Sequence, residues 1–176
     1  TTVGAVAAAA GVSRGAAQHH FPTREDLITA ALVHMIDQRL DSVRAVGLDL
    51  PGHGPERTLA VVRLIVDHYT SDLFKAALQV WTAAASDPAL AARVLPLETA
   101  MSREVLGIAA TALDRDPHDA RVRRAIQTTL DLARGLGLAD VLSDDSERRD
   151  KIIRYWAQTM HDALAGTDRS PSEAAL

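Results

Sequence analysis

Apolar residues recur three and four positions apart along most of this chain, the spacing that places them on one face of an α-helix. Alanine, leucine and arginine, which all favour helices, dominate these segments. Few β-branched or aromatic residues remain to build strands. The pattern therefore predicts an all-α protein.

Two short helices are predicted near the beginning of the chain. The first has Thr1 or Thr2 as its N-cap and ends at Gly11, where a residue with positive φ is expected. The second has Ser13 as its N-cap and ends near His20, because the Phe-Pro sequence that follows disfavours helical backbone.

A long third helix is predicted to begin at Thr23, with Asp26 three residues later completing a capping box. It is expected to end near Gly47, because residues 47–55 contain three Gly and two Pro and therefore predict a loop. The predicted organisation is an N-terminal segment of residues 1–46, a helical domain of residues 47–165 and a loose tail of residues 166–176.

Four or five further helices are predicted within the helical domain. An Asp-Pro pair is typical of a helix start and occurs twice, whereas Pro96 is expected to kink the helix that contains it. The predicted helices run from about Pro55 to Thr70, from Ser71 to about Ala85, from Asp87 to about Ala112, from Asp116 to Gly135 or Gly137, and from about Ser146 to Leu164. The first of them is apolar on most sides, so we expect it at the centre of the domain.

The composition excludes several classes of protein. Cysteine is absent, which rules out disulfide scaffolds, Cys-ligated zinc, iron–sulfur clusters and thiol nucleophiles. We find neither a Gly-rich phosphate loop nor a spacing typical of a catalytic triad or carboxylate pair, so we expect no enzyme, no cofactor and no metal site. No apolar run approaches the ~20 residues that span a membrane, and no signal peptide is recognisable, so a cytoplasmic protein is expected.

The charge is unevenly distributed. The formal net charge is −4, whereas DNA-binding domains are usually basic. The first 24 residues nevertheless carry Arg14 and Arg24 and no acidic residue. The negative charge therefore belongs to the rest of the chain and does not count against DNA binding by the N-terminal segment.

Two short helices joined by Gly-Val-Ser are typical of a helix-turn-helix. We expect Ala7 and Ala10 to allow the two helices to cross closely. Gly11 would make the turn, and Val12 would fill the angle between the helices. In this motif the second helix enters the major groove of DNA with its N-terminal residues facing the base edges.

The segment from Thr2 to Ala16, followed by HHFPTREDL from His19 to Leu27, resembles the DNA-binding segment of TetR-family transcriptional regulators. The resemblance implies a bacterial homodimeric regulator, usually a repressor, that a small molecule releases from a palindromic double-stranded DNA operator. The rest of the chain resembles the family only in architecture, as an α-helical ligand-binding and dimerisation bundle. The family has a further helix before the first one here, so we expect the DNA-binding segment to be incomplete at its N-terminus.

The resemblance also implies roles for nine residues. The candidates on the second helix are Arg14, Gly15, Ala16, Gln18 and His19, and the candidate phosphate contacts are Thr2, Ser13, His20 and Arg24. Arg14 would read guanine and Gln18 would read adenine. The small residues between them would allow close approach to the groove. The alternatives are that Arg14, Gln18 and Arg24 are solvated surface residues and that His20 has a structural role.

A regulator of this kind needs a site for its small, mostly apolar effector, which we place in the helices between residues 56 and 112. The candidate pocket residues are His68, Tyr69, Phe74, Leu78, Trp81, Thr82, Leu97, Met101 and Val105. Trp81 is preferred because a large ring in an Ala-rich helix leaves space beside it. Packing in the core is the alternative role of each apolar candidate. His68 and Asp72 could hold a cation, but a pair on the helix surface is the simpler interpretation.

By the same resemblance, the last two helices would form the dimer interface. The candidates are Leu130, Ala133, Leu136, Ile152, Trp156 and Met160. A second hypothesis is a helical module that binds a small molecule or a partner protein without binding DNA. The motivation is the net charge, together with Ala17 and Gln18 at positions where the family usually has an apolar residue and a tyrosine.

Overall fold

The computed structural model describes residues 2–46, 50 and 52–166, and within these it shows eight helices and no strand. The helices are α1 (Val3–Ala9), α2 (Arg14–His20), α3 (Arg24–Val46), α4 (Gly54–Tyr69), α5 (Asp72–Ala84), α6 (Pro88–Ala112), α7 (Ala120–Asp140) and α8 (Ser146–Ala165). The all-α prediction is confirmed. Residues 47–49 and 51 of the predicted loop and residues 167–176 of the predicted tail lie outside the described residues. Among the described helices, none combines the length and the apolar character needed to cross a bilayer.

Local hydrogen bonds explain where four of the helices start. Thr2, Ser13 and Ser71 each accept a hydrogen bond from the backbone N–H three residues later, as N-cap residues do. Asp87 accepts hydrogen bonds from two backbone N–H groups and precedes the proline that begins α6. The predicted starts of these helices are confirmed. α6 also continues through Pro96 without interruption.

Both predicted ends of α7 are wrong. The helix does not start after Asp116, because Asp119 is its N-cap and accepts a hydrogen bond from the backbone N–H of Arg121 at 2.7 Å. Asp116 belongs to the turn before the helix. The helix also passes through Gly135 and Gly137 and ends three residues after the second of them.

Gly137 allows a close approach between α7 and the end of α4. A Cβ atom on this residue would lie 2.0 Å from the backbone oxygen of Tyr69 and 2.7 Å from Cε1 of Phe74. A Cβ atom on Gly135 would meet nothing within 4 Å. Gly137 therefore serves the packing of two helices and does not mark the end of one.

α4 is the central helix of the domain, as predicted. It packs against α5, α7 and α8, and the side chains of Val62 and Val66 are fully buried. The apolar faces of α7 and α8 point toward it and share its core. Because these faces are buried inside one protomer, their residues are not available for the predicted dimer interface.

Most residues predicted for the dimer interface lie in the interior of the protomer. The buried ones are Leu130, Ala133, Leu136 and Met160. Leu130 and Ala133 expose no surface, so they cannot reach a second copy of the chain, and this choice of interface residues is corrected. Ile152 and Trp156 are half-buried against the same core. The periodicity identified the apolar faces of these helices, but α4 covers them.

Candidate nucleic-acid interface and ligand cavities

The turn between α1 and α2 is built from backbone hydrogen bonds around a left-handed glycine. Gly11 has a φ of +70°. Its N–H donates to the oxygen of Ala8 at 3.2 Å, and the N–H of Val12 donates to the oxygen of Ala7 at 3.0 Å. These two bonds form a Schellman motif, which requires a positive φ at the glycine position. The prediction for Gly11 is confirmed.

α1 and α2 cross closely, but only one of the residues expected at the crossing lies there. Ala7 is 2 % exposed. A Cβ atom on Gly4 would lie 3.7 Å from Cδ of Arg14, so the stem of this arginine covers Gly4. Ala10 is exposed because α1 ends before it, and Val12 is 50 % exposed. Ala10 therefore does not lie at the crossing, and Val12 does not fill the angle between the helices.

All nine residues predicted to contact DNA are exposed. They are Thr2, Ser13, Arg14, Gly15, Ala16, Gln18, His19, His20 and Arg24. The hydroxyl oxygens of Thr2 and Ser13 accept backbone hydrogen bonds at 3.2 and 3.1 Å. Each hydroxyl group retains its own hydrogen, which can be donated to an acceptor such as a phosphate oxygen.

The exposed side of α2 has groups suited to the edges of base pairs. Arg14 and Gln18 are four residues apart and therefore lie on the same side of the helix. Arginine presents two donors that match guanine, and glutamine presents a donor and an acceptor that match adenine. Gly15 and Ala16 have small side chains or none, so the start of α2 can approach the floor of a DNA groove closely.

His20 contacts the rings on both sides of it. Its centroid is 5.5 Å from that of His19 and 6.4 Å from that of Phe21, which is half-buried. An exposed imidazole anchored in this way fits a phosphate contact as well as a structural role. Among the described residues, no group of three or more His, Asp and Glu side chains could hold a metal ion.

The start of α3 joins the helix-turn-helix to the rest of the protein. Thr23 and Asp26 form the predicted capping box: the N–H of Asp26 donates to the Thr23 hydroxyl at 3.0 Å, and the N–H of Thr23 donates to Asp26 Oδ2 at 3.1 Å. Asp26 also forms an ion pair with Arg93 of α6. The Thr23 hydroxyl and Arg93 both lower the pKa of Asp26. No sequence signal indicated Arg93, because the partners are 67 residues apart.

Of the spaces between the described helices, three are bordered by predicted pocket residues. The inner cavity, of about 40 Å³, is lined by Leu40, Val61, Leu64, Ile65, His68, Tyr69, Met101, Val105, Ile108, Ala109 and Ala112. The aromatic cavity, of about 30 Å³, is lined by Leu32, His68, Tyr69, Leu73, Phe74, Ala77, Trp81, Glu98 and Met101. The α3–α6 groove, of about 520 Å³, is lined by Val33, Asp37, Leu40, Asp41, Leu97, Ala100, Met101 and Glu104. Met101 borders all three spaces.

Aromatic rings form a continuous row in the wall of the aromatic cavity. The centroids of Tyr69 and Phe74 are 5.0 Å apart, and those of Phe74 and Trp81 are 5.6 Å apart. His68 lies 5.0 Å from Tyr69 at the other end of the row. All three contacts are edge-to-face, which is a favourable geometry for aromatic pairs.

Glu98 supplies the negative charge of the aromatic cavity. Its Oε1 accepts a hydrogen bond from Nε1 of Trp81 at 2.8 Å. Burial raises the pKa of the Glu98 carboxyl group, while the Trp81 bond and the charge of Arg134 act in the opposite direction. Arg134 itself forms an ion pair with Asp131 at 2.7 Å and donates a hydrogen bond to Ser102 at 3.3 Å.

Seven of the nine predicted pocket residues border one of these spaces, and Leu78 and Thr82 do not. Leu78 packs against the core, and Thr82 is exposed with its hydroxyl bonded to a backbone oxygen. Sequence reasoning missed Glu98, although a signal was present. It lies four residues after Val94 and three before Met101, so a charged residue interrupts the apolar face of α6.

The interpretation of His68 and Asp72 as a pair on one helix surface is wrong. α4 ends at Tyr69, so Asp72 begins another helix, and the spacing of four residues does not bring the two side chains to one helix face. His68 is 9 % exposed and borders both the inner and the aromatic cavity. This histidine therefore belongs to the cavity walls.

Comparison with known protein families matches residues 1–31 to the family described as bacterial regulatory proteins of the tetR family. The matched segment contains α1, the Schellman turn, α2 and the first part of α3. Comparisons with curated proteins and with solved structures find no match.

Proposed function

We propose that this protein is a DNA-binding transcriptional regulator of the tetR type and that it acts as a homodimeric repressor released from its operator by a small molecule. The match of residues 1–31 to the tetR family of bacterial regulatory proteins supports this proposal. The observation that carries the proposal is the exposed face of α2. It presents Arg14, Gln18 and small residues between them, and the helix is held by a Schellman turn and the Ser13 cap. In this proposal the protein acts on palindromic double-stranded DNA in the bacterial cytoplasm.

The path from ligand to DNA would run through α3. Leu32 and Leu40 of this helix border the aromatic and inner cavities, and Asp26 at its first turn is paired with Arg93 of α6. A ligand between α3 and α6 would bind more tightly to one position of α3 than to another. It would shift the equilibrium between these positions by that difference in affinity alone. Since α2 precedes α3 directly, the spacing of the two recognition helices in a dimer would change.

The dimer would form through α7 and α8, but with the face opposite to their buried residues. Four large apolar side chains on these helices and the segment between them are exposed: Leu138, Val141, Leu142 and Tyr155. Leu142, in the segment between the two helices, is 90 % exposed, and contiguous exposed apolar side chains are typical of an interaction surface. A two-fold interface would match the symmetry of a palindromic operator.

The test measures binding of the protein to DNA upstream of its own gene by fluorescence anisotropy at several salt concentrations. We expect salt-dependent, sequence-preferring binding. Arg14→Ala is expected to cost about 1–3 kcal/mol and to relax the preference at one base position. Arg103→Ala, which removes an exposed arginine on α6, is the matched control and is expected to leave binding unchanged.

Two results would count against this proposal. Uniform weakening on every DNA sequence would contradict a base-reading role for Arg14. Absence of any sequence preference would favour the second hypothesis, a helical ligand-binding or partner-binding module that does not bind DNA.

A further inference from the structure

Glu98 is half-buried and can accept more hydrogen bonds than the described residues supply. Among the described residues it accepts one, from Nε1 of Trp81, although its two oxygens can accept about four. Withdrawing a carboxylate from water is costly unless its oxygens are satisfied. The aromatic cavity beside Glu98 is where a further donor would lie.

The only basic side chain that acts on Glu98 in the described structure is already engaged. Arg134 lies 5.5 Å from the centre of the Tyr69 ring and forms its ion pair with Asp131. Glu98, Asp131 and Arg134 together carry one net negative charge when both carboxyl groups are ionised. The charge therefore favours a cation in the cavity.

The aromatic row favours the same class of ligand. The rings of Tyr69, Phe74 and Trp81 border the cavity, and the faces of aromatic rings attract cations within about 6 Å. Rings also provide apolar surface for the body of a ligand. A carboxylate next to such rings can hold a positively charged group while the rings cover its carbon skeleton.

Met101 is shared by the linings of the aromatic cavity and of a larger space. The cavity has about 30 Å³, too little for an organic molecule, whereas the α3–α6 groove has about 520 Å³. Met101 borders both, and its unbranched side chain can change rotamer at low cost. In the described lining of the groove, the charged residues are Asp37, Asp41 and Glu104, all of them acidic. A cation would therefore approach through an acidic groove.

We propose that the effector is an organic cation, with an ammonium group that donates hydrogen bonds to Glu98 and an apolar body that lies against Phe74 and Trp81. Met101 moves aside to join the aromatic cavity to the α3–α6 groove. The role of this ligand as an effector rests on the proposed function, but the binding site itself does not depend on DNA binding.

The experiment compares two probes of nearly equal shape by titration calorimetry. Phenethylammonium carries a charge and three N–H donors, whereas 2-phenylethanol carries a neutral hydroxyl in the same position. We expect the ammonium to bind roughly ten-fold more tightly to the wild-type protein. In Glu98→Gln, which keeps an acceptor for Trp81 but removes the charge, we expect this preference to fall to about two-fold or less.

Two further measurements keep the result interpretable. Glu147→Gln removes a charge from a side chain that is 88 % exposed on α8, and it should retain the ten-fold preference. The chain has two tryptophans, so Trp156→Phe leaves Trp81 as the sole tryptophan, and tryptophan fluorescence should change on binding. Equal affinity for both probes, an unchanged preference in Glu98→Gln, or unchanged Trp81 emission would each overturn the inference.

DNA binding is measured separately, by the anisotropy titration described above, with and without phenethylammonium. Specific DNA binding without a preference for the cation would overturn this inference and leave the proposed function intact. A Glu98-dependent preference for the cation without specific DNA binding would support the site and overturn the proposed function.

Discussion

Gly137→Ala should destabilise the protein, whereas Gly135→Ala on the same helix should stabilise it. The added Cβ at Gly137 would lie 2.0 Å from the backbone oxygen of Tyr69, while the one at Gly135 would meet nothing within 4 Å. Non-bonded heavy atoms prefer separations above about 3 Å, so α7 and α4 would have to separate by roughly 1 Å. Because the contact is with backbone, no side-chain rotation can relieve it.

The magnitude follows from two opposing effects. Overpacking of a core costs about 1–3 kcal/mol, and a clash with backbone belongs at the upper end. Replacing glycine by alanine inside a helix contributes about 1 kcal/mol of stability at either position. We therefore expect Gly137→Ala to lower the free energy of unfolding by about 2 kcal/mol and Gly135→Ala to raise it by up to about 1 kcal/mol.

The measurement is urea unfolding followed by far-UV circular dichroism, at one protein concentration because association would also stabilise the fold. The two variants should differ by about 3 kcal/mol at a common m-value, or by roughly 10 °C in melting temperature for a chain of this size. Equal stability of the two variants would refute the reasoning, because it would mean that α4 and α7 do not approach each other at Gly137.

Three further outcomes are expected. Asp140→Asn should lower the free energy of unfolding, measured in urea, by about 2 kcal/mol, because the Asp140 side chain is only 12 % exposed and pairs with two cations. The control Glu147→Gln, on a side chain that is 88 % exposed, should change it by less than about 0.5 kcal/mol. The hydrogen bond from Lys75 lowers the pKa of Asp140, so the ionised carboxylate stabilises the fold above the unfolded-state pKa near 4. The free energy of unfolding should therefore fall more steeply in the wild type than in Asp140→Asn as the pH drops from about 5 to 3. Parallel pH dependence of the two proteins would contradict this. Ser13→Ala should cost about 1 kcal/mol at the start of α2, detected as faster hydrogen exchange of the Ala16 amide, and unchanged exchange would exclude a capping role.

Features that depend on nearby residues could be predicted from the sequence. The caps at Thr2, Ser13 and Ser71 involve a partner three residues away, and the left-handed turn at Gly11 is closed by hydrogen bonds within six residues. The helix-turn-helix and its exposed residues belong to this class. The start of α7 was missed because Asp116–Pro117 and Asp119 offer competing local signals three residues apart.

Features that depend on distant residues could not be predicted in the same way. The ion pair of Asp26 with Arg93 joins α3 to α6 across 67 residues. Of the predicted pocket residues, Leu78 and Thr82 share a helix with Trp81 but border none of the three spaces, because the neighbouring helices decide which side of α5 is covered.

The sequence by itself determined which residues form helices, where most helices begin, and which side chains share an apolar face. Only the tertiary structure decided what covers each face: Leu130 and Ala133 pack inside the protomer, and Gly137 lets the chain pass against Tyr69. The physical reason is that capping and helical periodicity act between neighbours in sequence, whereas hydrophobic burial has no direction and accepts any apolar partner. The choice between partners depends on the close packing of the whole bundle.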